Sequence, residues 1–177
     1  MAGVIEVRLL RASDERSNFE SGNIELDHFF RKFAGQNQFR HHIGATYVAI
    51  ENVKIVGYAT IAAGHIEIEN LPKNKRQKLP NYPLPILRLA RLAVAKEAQG
   101  SGVGRLLLRV VFEIAGNMAK TVGCIGVVVD AKDDAITFYQ RYGFEPFNVI
   151  EGALESRPQT LPMFLPIGAI PYSPLSA

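Results

Sequence analysis

Cysteine is almost absent from this chain of 177 residues, and no apolar run is long. The single cysteine, Cys124, cannot form an intrachain disulfide and suits a reducing compartment. No apolar run approaches the roughly 18 residues that suggest a membrane span. The segment from Met1 to Arg11 alternates apolar and charged residues, whereas a secretory signal has an apolar core. We therefore expect a cytoplasmic protein that does not cross a membrane.

The remaining composition is that of an ordinary globular protein. Hydrophobic residues make up 47% of the chain and charged residues 21%, as is usual for folded domains. The length suffices for a substantial core, so we expect residues 1–177 to form one domain with a proline-rich tail from about residue 168. The net charge of +3 permits an acidic or nucleic-acid partner without requiring one.

The order of the hydrophobic patterns predicts a mixed α/β fold. Period-two and β-branched segments predict strands over residues 4–10, 45–50, 55–62, 87–94, 125–129, 144–150 and 161–167. Between them lie three predicted helices, over residues 24–37, 103–122 and 134–142. The polar, proline-bearing stretch 70–85 is not expected to be regular strand.

The predicted helices have recognisable ends and faces. Ser21-Gly22-Asn23 offers N-cap candidates for the first helix, and Asp133 or Asp134 can cap the third, with Gly143 as its left-handed stop. The second helix is expected to end near Val122-Gly123. Its buried face is predicted from the helical spacing of Val103, Leu107, Val110, Ile114 and Met118.

A glycine-rich segment, residues 99–105, joins the predicted strand ending at Val94 to the long second helix. The first amides of a helix lack intrahelical partners and point outward beside the positive end of the macrodipole, so such a loop can hold an anion. The segment lacks the Gly-Lys-Ser/Thr ending of nucleotide-hydrolase phosphate loops and the Gly-x-Gly-x-x-Gly order of dinucleotide sites. A tight turn without a ligand is the alternative interpretation.

Two motifs resemble the GNAT N-acetyltransferases. Gln99-Gly100-Ser101-Gly102-Val103-Gly104 is similar to their Arg/Gln-x-x-Gly-x-Gly/Ala signature, and residues 135–144 resemble their late helix and the Gly-Phe pair that begins the next strand. The predicted order of strands and helices is also that of the family. The resemblance implies a GNAT fold, in which a central mixed, mostly antiparallel sheet with splayed middle strands is flanked by helices.

The resemblance also implies a site for acetyl-coenzyme A as co-substrate, without a metal. Backbone groups of the strand end would contact the pantetheine arm, at Leu92, Ala93 and Val94. Backbone amides of the loop would hold the pyrophosphate, at Gln99, Gly100, Ser101, Gly102, Val103, Gly104 and Arg105. Glycine suits positions 100, 102 and 104 because a Cβ would block close approach or a positive φ. The Arg105 side chain either binds a phosphate or is a solvated arginine.

Tyr139 is the candidate catalytic residue. In the resembling family, the tyrosine of the Phe-Tyr pair before the Gly-Phe commonly donates a proton to the leaving thiolate, and Phe138-Tyr139 occupies that position. A phenol of ordinary pKa, about 10, is protonated at neutral pH and can act in this way. The alternatives are that Tyr139 only packs in the core or against the cofactor, or that Tyr142 is the acid.

No general base stands out. Many GNAT enzymes that act on lysine or polyamines use an acidic residue of the central strands, because an amine of pKa about 10.4 must lose a proton first. The predicted strand 87–94 contains no Asp or Glu. This favours an α-amine or an ester-linked amine as acceptor, since α-amino groups have pKa values of about 7.7–8.0. A glutamate elsewhere or a water relay stays open.

Further segments resemble one branch of the superfamily, the toxins that acetylate aminoacyl-tRNA and pair with a ribbon-helix-helix antitoxin. Residues 19–27 resemble their early Phe-x-Ser/Cys-Gly-x-x-x-Leu-Asp segment, and Gly57-Tyr58 their third-strand Gly-Tyr. Residues 89–94 resemble their Leu-Gly-Arg-Leu-Ala-Val. Ala90 stands where these toxins usually have Gly, and Ala95 stands where they often have Asp. These two departures concern the implied identity of the substrate and do not touch the cofactor loop.

Basic residues supply the predicted RNA-facing surface. The proline-flanked loop carries Lys73, Lys75, Arg76 and Lys78, and Arg91 lies on the predicted central strand. Such charges can track the phosphates of a tRNA acceptor stem. A solvated loop is the alternative interpretation.

The activity that the resemblance implies is transfer of an acetyl group from acetyl-coenzyme A to a primary amine, the α-amino group of an aminoacyl-tRNA, by a translation-inhibiting toxin. Two alternatives stay open: an ordinary acetyltransferase for a small-molecule amine or a protein N-terminus, and a non-catalytic acetyl-coenzyme A sensor. The expected partners are aminoacyl-tRNA and a ribbon-helix-helix antitoxin, and the sequence also permits a homodimer.

Overall fold

Seven strands and four α-helices make up the regular structure of the residues described by the structure, a computed structural model: 3–71, 73–76, 79–147 and 160–170. In chain order they are β1 (Glu6–Leu9), α1 (Ile24–Lys32), α2 (Ala34–Phe39), β2 (Ala45–Glu51), β3 (Lys54–Ile66), β4 (Leu84–Val94), α3 (Val103–Thr121), β5 (Gly126–Ala131), α4 (Ile136–Arg141), β6 (Glu145–Pro146) and β7 (Leu161–Pro166). Short 3₁₀ turns lie between some of them, including Lys73–Lys75, Lys96–Ala98 and Asp133–Ala135.

The strands form one sheet in the order β1-β2-β3-β4-β5-β7-β6. The pairs β1–β2, β2–β3, β5–β7 and β6–β7 are antiparallel. The predicted mixed α/β fold with a mostly antiparallel sheet is therefore confirmed. The hairpin predicted between residues 45 and 62 is the β2–β3 pair.

The described residues group into two compact units. The first takes its residues from Met1–Ala62 and Leu89–Val111, and the second from Ala63–Arg88 and Phe112–Ala177. The strands β3 and β4 and the helix α3 each contribute residues to both units. That the chain forms a single domain stays a prediction.

An aromatic cluster forms the core of the first unit. The Tyr58 ring stacks on Phe30 with 4.5 Å between the ring centroids and meets Phe19 edge-on at 5.6 Å. Its hydroxyl donates a 2.6 Å hydrogen bond to the Leu26 carbonyl of α1. A buried tyrosine needs such a partner for its hydroxyl. One tyrosine of β3 therefore packs against the helix and also fixes its position.

The N-terminus of α1 is capped as the sequence predicts. Asn23 has an extended backbone, and its side-chain oxygen accepts a 3.1 Å hydrogen bond from the Leu26 amide. This satisfies one of the amides that have no intrahelical acceptor. Glu25 and Asp27 lie in the first turn, where the positive end of the helix dipole favours their negative charge.

The core of the second unit includes residues of β5 and β7. Its buried apolar residues are Ile66, Leu71, Leu84, Ile86, Val128 and Phe164. A Cβ on Gly126 would collide with the Leu165 carbonyl and the Phe164 ring, so this position of β5 requires glycine for the close approach of β7. Cys124 is buried, and burial raises the pKa of its thiol. A raised pKa keeps the thiol from its nucleophilic form.

Several predicted element ends are wrong. The helix predicted over residues 24–37 is two helices, α1 and α2, separated by Phe33, and β3 continues beyond residue 62 to Ile66. β4 begins at Leu84, inside the stretch predicted to be irregular. The strand accommodates Pro85 because this residue lies near its start, and the Pro85 carbonyl accepts a hydrogen bond from the Ile125 amide. Neither Asp133 nor Asp134 caps α4. Both lie in the 3₁₀ turn that precedes the helix, and the N-cap position is occupied by Ala135.

The ends of the chain's last elements agree with the sequence as far as the structure describes them. Gly143, with a φ of 93°, follows α4 as its predicted stop. β7 reproduces the strand predicted over residues 161–167. Of the strand predicted over residues 144–150, β6 is the regular part, and residues 148–150 lie outside the described residues, as do residues 171–177 of the tail.

The longest helix, α3, has a wider buried face than the predicted stripe. Its fully buried residues are Val103, Leu107, Leu108, Val111, Phe112 and Ala115. Val110, Ile114 and Met118 are only half-buried, so the predicted stripe is the edge of a wider buried face. Gly123, with a φ of 102°, lies just beyond its end as predicted. Among the described helices, none is both long and apolar enough to cross a membrane.

Candidate active site

The glycine-rich loop before α3 has the geometry of an anion site. Gly100 and Gly102 have φ angles of 82° and 89°, in the left-handed region that favours glycine. At both positions a Cβ would meet no heavy atom within 4 Å, so the glycines border open space. The first hydrogen bond of α3 runs from the Leu106 amide to the Gly102 carbonyl at 3.2 Å.

Backbone amides at residues 102–105 precede that first bond. Helix geometry gives them no intrahelical acceptor. α3 is 19 residues long, so its N-terminus carries the positive end of a full macrodipole. Gly104 lies in the first turn of the helix, so close approach rather than positive φ is the argument that applies to it. The turn thus combines backbone donors with a positive field, an arrangement that suits a phosphate.

The side chains of Gln99 and Ser101 bond to the protein's own backbone. The Gln99 amide nitrogen donates to the Ser21 carbonyl at 2.8 Å and to the Val94 carbonyl at 3.1 Å. The Ser101 hydroxyl donates to the Ala98 carbonyl. Both side chains therefore support the loop from within.

The strand end predicted to meet the pantetheine arm lies beside β3. Ala93 is buried, and Leu92 and Val94 are half-buried. The Ala95 amide donates to the Val56 carbonyl at 2.8 Å. The end of β4 is therefore held on the β3 side, with its carbonyl at residue 94 already accepting a hydrogen bond from the loop.

Tyr139 lies on α4 in the second unit with its ring buried. It is 5% exposed, and its ring meets Phe138 and Phe144 at centroid distances of 5.2 and 5.4 Å. Burial, and to a lesser extent the Asp134 carboxylate, raises the pKa of the phenol. Its phenol therefore stays protonated at neutral pH.

Tyr142 is the less buried tyrosine at the same end of α4. Its ring meets Phe138 and Phe112 at centroid distances of 5.2 and 6.3 Å. Its backbone amide donates to the Tyr139 carbonyl at 3.1 Å. The two tyrosines share one phenylalanine neighbour, which makes Tyr142 the natural control for substitutions of Tyr139.

Known proteins match the chain across this loop and this helix. Residues 42–146 match a family model described as an acetyltransferase (GNAT) domain. The chain belongs to the GNAT family. Over 148 residues it is 32% identical to a tRNA-acetylating toxin of Mycobacterium tuberculosis (strain ATCC 25618 / H37Rv), a match that covers 82% of this chain and 87% of that relative.

Solved structures share the GNAT fold over nearly the whole chain. A structure of AtaT complexed with acetyl-methionyl-tRNAfMet matches with a TM-score of 0.81 and 25% identity, covering 94% of this chain and 96% of that one. A crystal structure of AtaTR bound with AcCoA matches with a TM-score of 0.74 and 27% identity, covering 93% and 95%. The predicted family, enzyme class and co-substrate are confirmed. This GNAT protein is an acetyl-coenzyme A-dependent N-acetyltransferase.

The basic loop of this GNAT enzyme presents its cations unequally. Lys73 is exposed and Lys75 half-buried in their 3₁₀ turn. The Arg76 guanidinium donates to two carbonyls of its own loop, at 2.9 and 2.6 Å, one of them that of Leu71. Lys78 lies outside the described residues. Arg76 therefore shapes the loop, and Lys73 is its most accessible described cation.

Arg91 lies on the face of a buried aromatic ring. Its guanidinium carbon is 3.7 Å from the centroid of Phe29, a cation–π contact. Its charge also lowers the pKa of Tyr58, although burial raises that pKa by more. Arg91 thus supports the aromatic core of the first unit, and a contact with tRNA stays a prediction.

Sequence reasoning did not single out the Ser21–Asp27 pair. Asp27 is 5% exposed, and its carboxylate accepts the Ser21 amide at 3.0 and 3.1 Å and the Ser21 hydroxyl at 2.6 Å. Ser21 was among the predicted N-cap candidates, and residues 19–27 carry the resemblance to the toxin branch, but neither signal pairs Ser21 with Asp27. The structure assigns both residues to the support of the turn before α1.

Proton donation and hydrogen bonding are the chemistry that these residues offer. β4 carries no Asp or Glu, so the strand supplies no general base. In the part of the chain that the structure describes, no group of three His, Cys, Asp or Glu side chains is placed to hold a metal ion. These residues suit an acceptor amine that is already neutral in part when it binds.

Gly102→Val is expected to weaken binding of coenzyme A by about 10-fold or more, because a β-branched residue resists a positive φ and its side chain would enter the open space beside the amides. Isothermal titration calorimetry measures the affinity. Gly168→Val is the matched control, since Gly168 also borders open space but lacks a positive φ. Unchanged affinity in a folded Gly102→Val protein would remove the loop from the cofactor site.

Proposed function

We propose that this enzyme acetylates the α-amino group of aminoacyl-tRNA and acts as a translation-inhibiting toxin. The observation that carries the proposal is its 32% identity, over most of both chains, to a tRNA-acetylating toxin. The fold shared with AtaT complexed with acetyl-methionyl-tRNAfMet supports the same substrate class.

In this proposal the loop before α3 holds the diphosphate of acetyl-coenzyme A. The donors are the backbone amides of residues 102–105, and the left-handed glycines keep the approach open. Arg105, exposed in the first turn of α3, adds a positive charge there. The backbone of residues 92–94, at the end of β4, receives the pantetheine arm. When bound, acetyl-coenzyme A supplies the thioester carbonyl that the amine attacks.

Tyr139 is the proton donor in the proposal. Its raised pKa keeps the phenol protonated through the neutral range, so it offers a hydrogen bond to the sulfur as negative charge develops there. A phenol of raised pKa is a weaker acid, which makes stabilisation by a strong hydrogen bond the first part of its role and proton delivery the second.

The acceptor amine is proposed from what β4 lacks. Without a carboxylate on the central strand, a lysine-type amine of pKa about 10.4 would arrive protonated and unreactive. An α-amine has a pKa of about 7.7–8.0, so part of it is neutral without help. An aminoacyl ester on tRNA meets this requirement.

Exposed cations give the proposed tRNA surface. Lys73 lies in the basic loop, and a second group of exposed basic side chains follows the middle of α1: Arg31, Lys32, Arg40, His41 and His42. Residues 28–44 contain no Asp or Glu. A stretch with basic residues and no acidic ones attracts phosphates, and binding through it weakens as the salt concentration rises.

A toxin of this kind needs a neutralising partner in its host. We propose a ribbon-helix-helix antitoxin with an acidic or apolar segment that covers the basic surface, since charge complementarity favours it. A cytoplasmic location follows from the substrates, acetyl-coenzyme A and charged tRNA. Light scattering of the purified chain, alone and with such a partner, would decide between a monomer, a homodimer and a complex.

Tyr139→Phe is expected to lower the turnover of acetyl-coenzyme A by about 10²–10⁴-fold, because it removes the proton donor with little change in volume. Coenzyme A affinity should change little. Because the active form is the protonated phenol and burial raises its pKa, the wild-type rate should show no alkaline fall below about pH 10. Tyr142→Phe is the control, and loss of activity there with none in Tyr139→Phe would transfer the role to Tyr142.

Labelled acetyl-coenzyme A and total charged tRNA test the substrate. The label is expected on the aminoacyl group of charged tRNA, and deacylated tRNA should remain unlabelled. Replacing both Lys73 and Lys75 with Gln should weaken tRNA binding and flatten its salt dependence while leaving acetylation of a small aminoacyl ester intact. Labelling of small amines or a protein N-terminus instead of tRNA would favour an ordinary acetyltransferase. Binding without turnover would favour a sensor.

A further inference from the structure

The Gln99 side chain crosses between two backbone segments. Its amide nitrogen lies 2.8 Å from the Ser21 carbonyl, before α1, and 3.1 Å from the Val94 carbonyl, at the end of β4. Its own backbone amide donates to the Lys96 carbonyl at 3.4 Å. The side chain and the backbone amide of this residue are thus both bonded to protein.

A second set of bonds joins the same two segments. The Lys96 amide donates to the Glu20 carbonyl at 2.9 Å, and the Lys96 ammonium pairs with the Glu20 carboxylate at 2.9 Å. The ion pair is exposed, so it contributes little by itself. The Lys96–Glu20 backbone bond and the Gln99–Ser21 bond are the ones that hold the loop against residues 20–21, and the second Gln99 bond ties the loop to the end of β4.

A buried side chain in turn holds residues 20–21 in place. The Asp27 carboxylate accepts both the amide and the hydroxyl of Ser21. A buried carboxylate with two donors on one residue leaves that residue little freedom. The position of the Ser21 carbonyl is therefore fixed, and a side chain of the loop that donates a hydrogen bond to it is held in place.

We infer that Gln99 is a positioning residue, whose side-chain amide holds the phosphate-binding loop against the Ser21 and Val94 carbonyls instead of contacting the cofactor. The inference rests on the proposed cofactor role of that loop. Gly100 and Gly102, the next glycines of the loop, have left-handed backbones and no side chain that could hold them. The loop's shape before the cofactor binds therefore depends on the bonds at residue 99.

The donor chemistry explains which side chains this position accepts. Two carbonyls are acceptors, so the side chain between them must carry at least two N–H groups. Glutamine and arginine both do. Glutamate has the shape of glutamine and only acceptors, and leucine has neither donors nor acceptors. In this chain the donors of the Gln99 side chain therefore serve the protein's own carbonyls.

Four variants test the inference. Gln99→Leu and Gln99→Glu are expected to raise the KM for acetyl-coenzyme A and the Kd for coenzyme A by about 10-fold, with kcat at saturation changed by no more than about threefold. Gln99→Arg should restore near wild-type values. Asn117→Asp, at an exposed amide side chain of α3, carries the same charge change as Gln99→Glu and should behave as wild type.

Hydrogen exchange of the unliganded protein separates positioning from direct contact. If Gln99 positions the loop, amides of residues 100–106 exchange faster in Gln99→Leu than in wild type or Gln99→Arg before any ligand is added. Wild-type exchange together with a raised Kd would mean that Gln99 touches the ligand, and the inference would fail. Wild-type affinity in Gln99→Leu, or no rescue by Gln99→Arg, would also overturn it.

Gly102→Val keeps this test apart from the loop assignment. If Gly102→Val binds coenzyme A normally, the cofactor site lies elsewhere, and the proposed function of the loop fails. If Gly102→Val loses binding while Gln99→Leu keeps it, the loop binds the cofactor but needs no support from Gln99. Only loss of binding in both, with faster exchange in Gln99→Leu, supports the inference.

Discussion

The Asp27 carboxylate lies almost fully buried in the first turn of α1, where it accepts the amide and the hydroxyl of Ser21. Removing a carboxylate from water is unfavourable unless it is hydrogen-bonded, so the pair holds tightly. Ser21 then presents its carbonyl to Gln99, a residue 78 positions further along the chain. The shape of the loop before α3 therefore depends on a buried contact far away in sequence. The helix that carries Asp27 is in turn fixed by the Tyr58 hydroxyl.

The two candidate functional features, the loop before α3 and Tyr139, depend on opposite physical conditions. In the proposed function the loop before α3 offers a phosphate its backbone amides and glycines that border open space. Tyr139 is proposed to act from a buried ring, and burial keeps its phenol protonated. The loop belongs to the first compact unit and Tyr139 to the second. Each unit has its own core, and aromatic rings contribute to both: Tyr58 packs against Phe19 and Phe30 in the first unit, and Tyr139 against Phe138 and Phe144 in the second.

Local signals in the sequence predicted local features well. The cap at Asn23, the stop at Gly143 and the hairpin between β2 and β3 depend on residues within a few positions of one another, and all three are present. The prediction of a cap at Asp133 or Asp134 was wrong, because a 3₁₀ turn precedes α4. The sequence does not distinguish a capping aspartate from one that lies a residue or two before the cap.

Side-chain partners could not be predicted, because they depend on which carbonyls and rings the fold brings near. Arg76 and Arg91 look like equivalent cations in sequence. In the structure Arg76 closes its own loop through carbonyls, and Arg91 covers Phe29. Gln99 likewise carries a family signature that does not reveal its two acceptors. Charge and motif therefore indicated candidate residues, and the structure decided which partners their side chains have.

Backbone hydrogen exchange at residues 100–106, compared between Asp27→Asn and Asp14→Asn, tests most directly whether the buried carboxylate governs the cofactor loop. Asp14 also accepts several hydrogen bonds in the first unit, from Arg8 and the Arg11 amide, but has no link to the loop. Both variants are expected to unfold at lower temperature, and only Asp27→Asn should speed exchange in the loop. Loop exchange at the wild-type rate in a folded Asp27→Asn protein, or equal acceleration in both variants, would contradict the account.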